Sequence, residues 1–257
     1  MRGMYQEDLS TRNQGFTLVE LAIVITIIGL LIGGVLKGQE LINNARVTAT
    51  IAQIKAYQAA MLSFQDRYDQ FPGDFSVALT RVPGCTTDNY CSNGDGNSRV
   101  GNYYTGTAIG TIQTGTAVPA VETSNYWKHL AMADLISGVN PSANPASPVF
   151  GKTHPSSPFG GGFMTVFGMH VTGSKAGLWL VLSNTLTGTT AYLPSAQNVL
   201  TPARAAQIDR KMDDGRPDAG YVQSPDNGTC DSGSPRIYRE SDEYANQKTC
   251  MIVFNIF

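Results

Sequence analysis

The chain has 257 residues, with 27 glycines, 13 prolines and a formal net charge of −2 at pH 7. That length allows one large domain or two small ones with a real core. Only 15 % of residues are charged, and the composition excludes collagen, a coiled-coil rod and a wholly disordered chain; a pI near 5.9 gives no general electrostatic case for nucleic-acid binding.

Residues 16–36 read FTLVELAIVITIIGLLIGGVL, with Glu20 as the one ionisable side chain. A helix of that length spans about 30 Å, the thickness of a bilayer's hydrocarbon core. No second such run follows, so the chain reads as crossing a membrane once, near its N-terminus. A secretory signal peptide has a shorter apolar region, about 7–15 residues, and a small-x-small cleavage site; no Ala-x-Ala follows Leu36. A plain signal anchor explains the length but not Glu20. A carboxylate in hydrocarbon costs about 2.5–3.5 kcal/mol on insertion scales, and by default it has a partner and a function.

Glu20 lies five residues into the run, and Gly15 stands just before it. The segment Gly15-Phe16-Thr17-Leu18-Val19-Glu20 resembles the cleavage motif of the type IV pilin family, which includes the pseudopilins of type II secretion. The resemblance implies that a prepilin peptidase cuts between Gly15 and Phe16 and methylates the new Phe16 amine. It implies three further partners: identical or related subunits in a helical filament, the inner-membrane assembly platform, and the bacterial inner membrane before assembly. The head then faces the periplasm, and the assembled subunit sits in an extracellular pilus or a periplasmic pseudopilus. The leader, residues 1–15, has no net charge and is longer than in many pilins, so its positive-inside preference is weak.

The chemistry of the motif stands beside the resemblance. Cleavage leaves an ammonium on Phe16 one turn from Glu20. Glu20 of one subunit can meet the Phe16 amine of the next, and a mis-registered subunit leaves both charges unpaired in a low dielectric. Phe16 and Glu20 are thus the expected assembly residues.

After Lys37 the apolar residues thin out but keep a period near 3.5: Val47, Ile51, Ile54, Tyr57, Met61, Phe64 and Tyr68. This predicts an amphipathic helix with one face on a soluble domain. Phe71-Pro72-Gly73-Asp74 ends it. The expected organisation is a leader (1–15), a membrane and polymerisation helix (16–37), its amphipathic continuation (38–70) and a soluble head (71–257). Gly29/Gly33 and Gly34/Gly38 fit the small-xxx-small spacing for close packing. They equally permit local melting, since Lys37 stands where many pilins carry Pro.

In the head, residues 76–120 are rich in Gly, Thr and Asn and predict loops with short strands. Asn125–Ile136 has helical spacing, with Thr123 or Ser124 as a cap and Gly138 as a stop. Residues 139–162 predict a loop. Strand candidates are Phe163–Val171, Gly177–Leu182, Thr189–Tyr192 and Cys250–Phe257, and Ala203–Lys211 is a short helix candidate. The fold class is α+β: a long N-terminal helix packed on an antiparallel-sheet head with long loops, which is also what the resemblance implies.

Cys85 and Cys91 are close in sequence, as are Cys230 and Cys250. All four lie past the membrane helix, on the oxidising side. Local pairing is the simplest of three connectivities, and the second pair resembles the C-terminal disulfide loop of many type IV pilins. Two acidic loops are ligand candidates. In the first, which begins at Asp88, Asn93, Asp95 and Asn97 alternate like calcium donors, without the Glu of an EF-hand, and Asp88 completes the candidate set; the plain alternative is an Asn/Asp/Gly turn. Asp209, Asp213, Asp214 and Asp218 form the second set, with Arg210, Lys211 and Arg216 available to neutralise them as a surface turn. Calcium is thus the one cofactor weighed.

Catalytic patterns are missing. Gly151-Lys152-Thr153 has Ala146 where a phosphate loop needs Gly, residues 173–177 lack the Gly-x-Ser-x-Gly spacing, and His129, His154 and His170 read as structural. The sequence therefore points to a filament subunit, with no enzyme activity. The alternatives are a tip-located minor pilin with an adhesive or DNA-capturing head and, with no motif behind it, a membrane-anchored periplasmic enzyme.

Overall fold

In the computed structural model, the structure describes residues 17–101, 104–105, 122–145, 147–169, 176–186, 198–225, 228–241 and 245–257. The chain divides into two compact units, Met1–Ala45 and Arg46–Phe257. Helix α1 runs Leu18–Tyr68. In the first unit its described residues are almost all exposed, apolar ones included.

In the second unit α1 buries Val47, Thr50, Ile54, Tyr57, Ala60, Met61, Phe64 and Tyr68. These recur at helical spacing, so one stripe faces the core while Lys55, Gln65 and Arg67 face out. The helix stops at Asp69, whose φ is +60°, and the chain leaves through Gly73 at φ +89°. Gly73 is required there: a Cβ would run into the carbonyl oxygen of Glu122.

The short helix α2 (Ala78–Arg81) and a 3-10 turn at Thr87–Asn89 follow. The four-residue α2 falls in a stretch that reads as loops, because it is too short to show a period. Strand β1 is Tyr104–Thr105. Helix α3 spans Glu122–Met132, starting three residues before the expected Asn125 and ending earlier than Ile136. Strands β2 (Gly162–Met169) and β3 (Gly177–Ser183) match two candidates closely. Helix α4 (Pro202–Met212) carries Pro in its first turn, where a missing N–H costs nothing. Four short strands complete the head: β4 (Val222–Gln223), β5 (Asp231–Ser232), β6 (Ile237–Tyr238) and β7 (Ile252–Asn255). The candidate strand Thr189–Tyr192 lies outside the described residues.

The main sheet has strand order β1-β2-β3-β7-β4. Its pairs are antiparallel except β1 with β2, which is parallel. β5 and β6 form a separate hairpin. Register sorts the side chains by face. Phe163 pairs with Leu182, Leu182 with Ile252, and Leu180 with Phe254; these residues join the α1 stripe in one core. Met164, Val166, Trp179, Val181 and Val253 point the other way and make a smaller core with Leu186 and Met251. Both faces of the sheet are therefore covered, which is why β3 is buried along its whole length. Tyr57 bridges the layers, with its ring 5.1 Å from Trp127 of α3 and 5.3 Å from Phe163 of β2.

Candidate functional site

At the start of α1, Gly15 and Phe16 lie outside the described residues. Thr17 and Glu20 are described. The Thr17 backbone N–H and hydroxyl each donate to Glu20 Oε2 at 2.8 Å, and the Glu20 N–H donates to Thr17 Oγ1 at 3.2 Å. This is a reciprocal capping box, in which two orphan groups at a helix start satisfy each other. The helix behind it is long and apolar enough to cross a membrane, with an 18-residue window of mean hydropathy 2.6. Exposed apolar residues continue to Leu41 and Ile42, and a contiguous surface of that kind marks contact with lipid or protein.

In the head, three segments bring carboxylates together. Asp74 comes from the α1 exit, Asp95 from the Asn93–Asn97 loop and Glu122 from the first residue of α3; each offers an oxygen within 4.8 Å of the others. Asp74 and Glu122 are buried and Asp95 is exposed. Backbone donors hold the buried pair: Asn97 and Ser98 N–H on Asp74 at 3.0 and 2.8 Å, Asp95 and Gly101 N–H on Glu122 at 2.9 and 2.8 Å. Burial pushes Glu122 up to about 7, against the pull of those N–H groups. It pushes Asp74 up to about 6, with the Asp95 carboxyl adding to it. Such a cluster can share a proton or offer oxygens to a hard cation.

Of the four residues expected in this calcium set, only Asp95 joins the cluster. Asp95 also accepts from the Asn97 backbone and side chain, at 3.0 and 2.8 Å. Asn93 caps the Leu79 N–H at 2.9 Å, and Asp88 sits on the 3-10 turn. Asp74 and Glu122 escape sequence reading because no linear spacing connects three segments so far apart.

The second set divides as well. Asp209, Asp213 and Asp214 converge. Asp209 is buried and accepts from the Tyr238 hydroxyl at 2.8 Å and Gly215 N–H at 3.0 Å; burial pushes it up to about 7. Asp213 receives the Tyr221 N–H, and the Val222 N–H at 3.0 Å. Gly220, at φ +73°, leaves room for that carboxylate. Asp214 accepts the Arg216 N–H at 2.9 Å. Asp218 stands apart, paired with the Arg216 guanidinium at 3.2 Å. Arg210, expected to neutralise this loop, reaches Glu240 instead at 2.7 Å.

Helix α3 carries more buried polar chemistry than its spacing suggests. The Lys128 ammonium is held by the carbonyls of Asn89, Pro141 and Ala143 at 2.6, 2.6 and 2.9 Å, and burial lowers it to about 8. His129 accepts the Gly73 N–H on Nδ1 at 2.9 Å, which leaves Nε2–H facing the Ser92 carbonyl at 3.2 Å. His154 contacts Thr153 Oγ1 at 3.0 Å. Burial lowers these imidazoles to about 4 and about 3. His170 lies outside the described residues. Cys85–Cys91 and Cys230–Cys250 are disulfides; the sulfurs beside His129 are therefore bonded to each other and are not metal ligands. His129 thus bridges two backbone segments, whereas His154 meets a neighbouring hydroxyl.

No curated protein and no solved structure matches the chain. Residues 10–36 match the family model of the prokaryotic N-terminal methylation motif, and they enclose the capping box and the start of the exposed apolar helix; the chain carries the prepilin motif of type IV pilins and pseudopilins.

Proposed function

We propose that the protein is a structural subunit of a type IV pilus or type II secretion-like filament, made as a precursor, cut by prepilin peptidase between Gly15 and Phe16 and assembled through α1. One observation carries this reading: the methylation motif coincides with the start of a helix whose apolar residues from Leu18 to Ile42 are exposed among the described residues. Each Leu or Ile that leaves water gains about 1.5–3 kcal/mol. One carboxylate at about 2.5–3.5 kcal/mol is a small cost against that run. Glu20 therefore does not prevent membrane insertion; it selects which neighbour is accepted, because only a subunit in register brings an ammonium to it. Before assembly the bilayer covers the helix, and afterwards other subunits do. The head stays in the aqueous compartment, where its two disulfides persist. No cofactor takes part in this reading.

Intact-mass and N-terminal peptide mass spectrometry of the protein from its native membrane tests it. The expected species starts at Phe16 and carries one added methyl group. A chain still starting at Met1 with an active peptidase present sinks the reading. Immunogold labelling along a fibre favours a main subunit, whereas labelling only at its end favours a tip-located minor pilin.

A further inference from the structure

A cavity of about 230 Å³ lies in the second unit between α1, β4, β7 and the end of α4. Its floor is apolar. Ile54 of α1, the cross-strand partners Val222 and Phe254, and Ile256 line it and are all buried. β4 is the edge strand of the sheet and has two residues, and no strand lies beyond it among the described residues to close the gap. The rim is polar. Lys55 is exposed, and its ammonium has no hydrogen bond or ion pair among the described residues. The Gln58 amide and the Tyr221 hydroxyl are likewise without a partner there. Lys55 is the one charged residue of the lining. Asp213 comes close, but its carboxylate is taken by the N–H groups of Tyr221 and Val222.

We propose that this cavity is a binding site for a small aromatic monocarboxylate, with the ring on the apolar floor and the carboxylate on Lys55. Gln58 and Tyr221 are the further donors. The site lies wholly in the head, goes beyond the filament reading and stands whether or not that reading does. An apolar pocket with a few convergent polar groups is the usual way to hold a small ligand. A dry cavity of about 150 Å³ takes benzene, so this one takes a ring with a short acid arm. The Phe254 and Tyr221 rings and the Met212 thioether favour an aromatic body. Charge fixes the rest of the ligand. A cation is repelled by Lys55, a neutral hydrocarbon leaves the ammonium unused, and a dicarboxylate forces a second charge against the apolar floor. The Lys55 stem can lie along the apolar wall while its head group stays at the mouth, where an acid arm emerges.

The test titrates phenylacetate into the full chain in lipid nanodiscs and follows the methyl NMR signals of Ile54, Val222, Ile256 and Met212. These are expected to shift saturably, with half-saturation at or below about 1 mM. Phenylacetamide, which has the same shape without the charge, is expected to bind about fivefold more weakly, as is phenylacetate to Lys55→Met. Lys55→Arg should stay within about twofold of the wild type. Because Lys55 is exposed, both variants should keep the core, and unchanged methyl signals away from the cavity check this. No saturable shift up to about 10 mM overturns the proposal. So does equal binding of the acid and the amide, or equal affinity of the wild type and Lys55→Met. Shifts confined to residues 18–42 mean partition into lipid beside the apolar helix and overturn it too.

Discussion

One helix, α1, treats its apolar residues in two opposite ways. Between Leu18 and Leu36 they occupy all sides and stay exposed. Between Val47 and Tyr68 most of the large ones occupy one stripe and are buried with the sheet and α3, Leu62 excepted. Backbone geometry is the same in both stretches, so the difference is one of partner. The second stretch finds its partner in the sheet and α3, whereas the apolar residues of the first stay exposed among the described residues. Substitutions of similar size should therefore have opposite signatures in the two stretches.

Phe64→Ala gives the largest expected effect. Phe64 is fully buried and packs on Tyr68, Phe75 and His129, with ring centroids 4.4, 5.9 and 6.2 Å away. Its loss should cost about 3–5 kcal/mol, read as a lower denaturation midpoint of the head. Leu30→Ala, at a side chain that is 78 % exposed, should leave that midpoint unchanged and weaken filament yield. A drop in head stability from Leu30→Ala would break the comparison.

The disulfides come next. Replacing both Cys230 and Cys250 by Ser opens a loop of sequence separation 20, against 6 for Cys85–Cys91. Loop entropy makes the first loss about 3 kcal/mol and the second about 2 kcal/mol. Chemical denaturation of the two double variants checks the order. Lys128→Met should cost about 1–3 kcal/mol, because three carbonyls lose their donor. Protease cutting within residues 85–91 and 140–145 should rise in that variant, since Lys128 ties both segments to α3.

What was legible in the sequence follows the same division. α1 was legible because its periodicity is local, and β2, β3 and β7 because runs such as Met251-Ile252-Val253-Phe254 have few other uses. The disulfides followed from local pairing. The Thr17–Glu20 cap has a local signature, a Thr three residues before a Glu, but a Glu inside an apolar run equally fits charge pairing. α3 was misplaced at its start because Glu122 to Leu130 are all buried. A helix with no exposed face has no amphipathic edge, and only tertiary partners reveal why Glu122, Asn125, Lys128 and His129 are tolerated there. The carboxylate clusters were the least legible. Asp218 shares its spacing with Asp213 and Asp214 but pairs with Arg216, and Asp74 meets Glu122 only through the tertiary fold.

The buried ionisable groups make the last comparison a matter of pH. Burial raises Glu122 from the ordinary 4.5 to about 7, and Asp74 and Asp209 from 3.8 to about 6 and about 7. The folded head thus keeps protons that the unfolded chain has released, and these groups' stabilising contribution fades as pH rises through their folded values. His129 and His154 act in reverse: lowered from 6.5 to about 4 and about 3, they contribute stability above 6.5 that is lost as pH falls. The two sets oppose each other between about pH 4.5 and 6.5, three carboxylates against two imidazoles, so the histidines offset most of the decline there. Above 6.5 the Glu122 and Asp209 carboxylates finish titrating, so stability should decline further and level off soon above pH 7. Glu122→Gln isolates one member of the set, because Gln keeps the shape and cannot ionise. It loses one acceptor and is less stable than wild type at pH 4.5, but it does not share the wild type's decline. The gap between the two should close by about 1–3 kcal/mol from pH 4.5 to 8, read from denaturation curves at the two pH values. A gap that stays constant means Glu122 titrates in the head as it does in the unfolded chain, and that the N–H groups of Asp95 and Gly101 offset its burial.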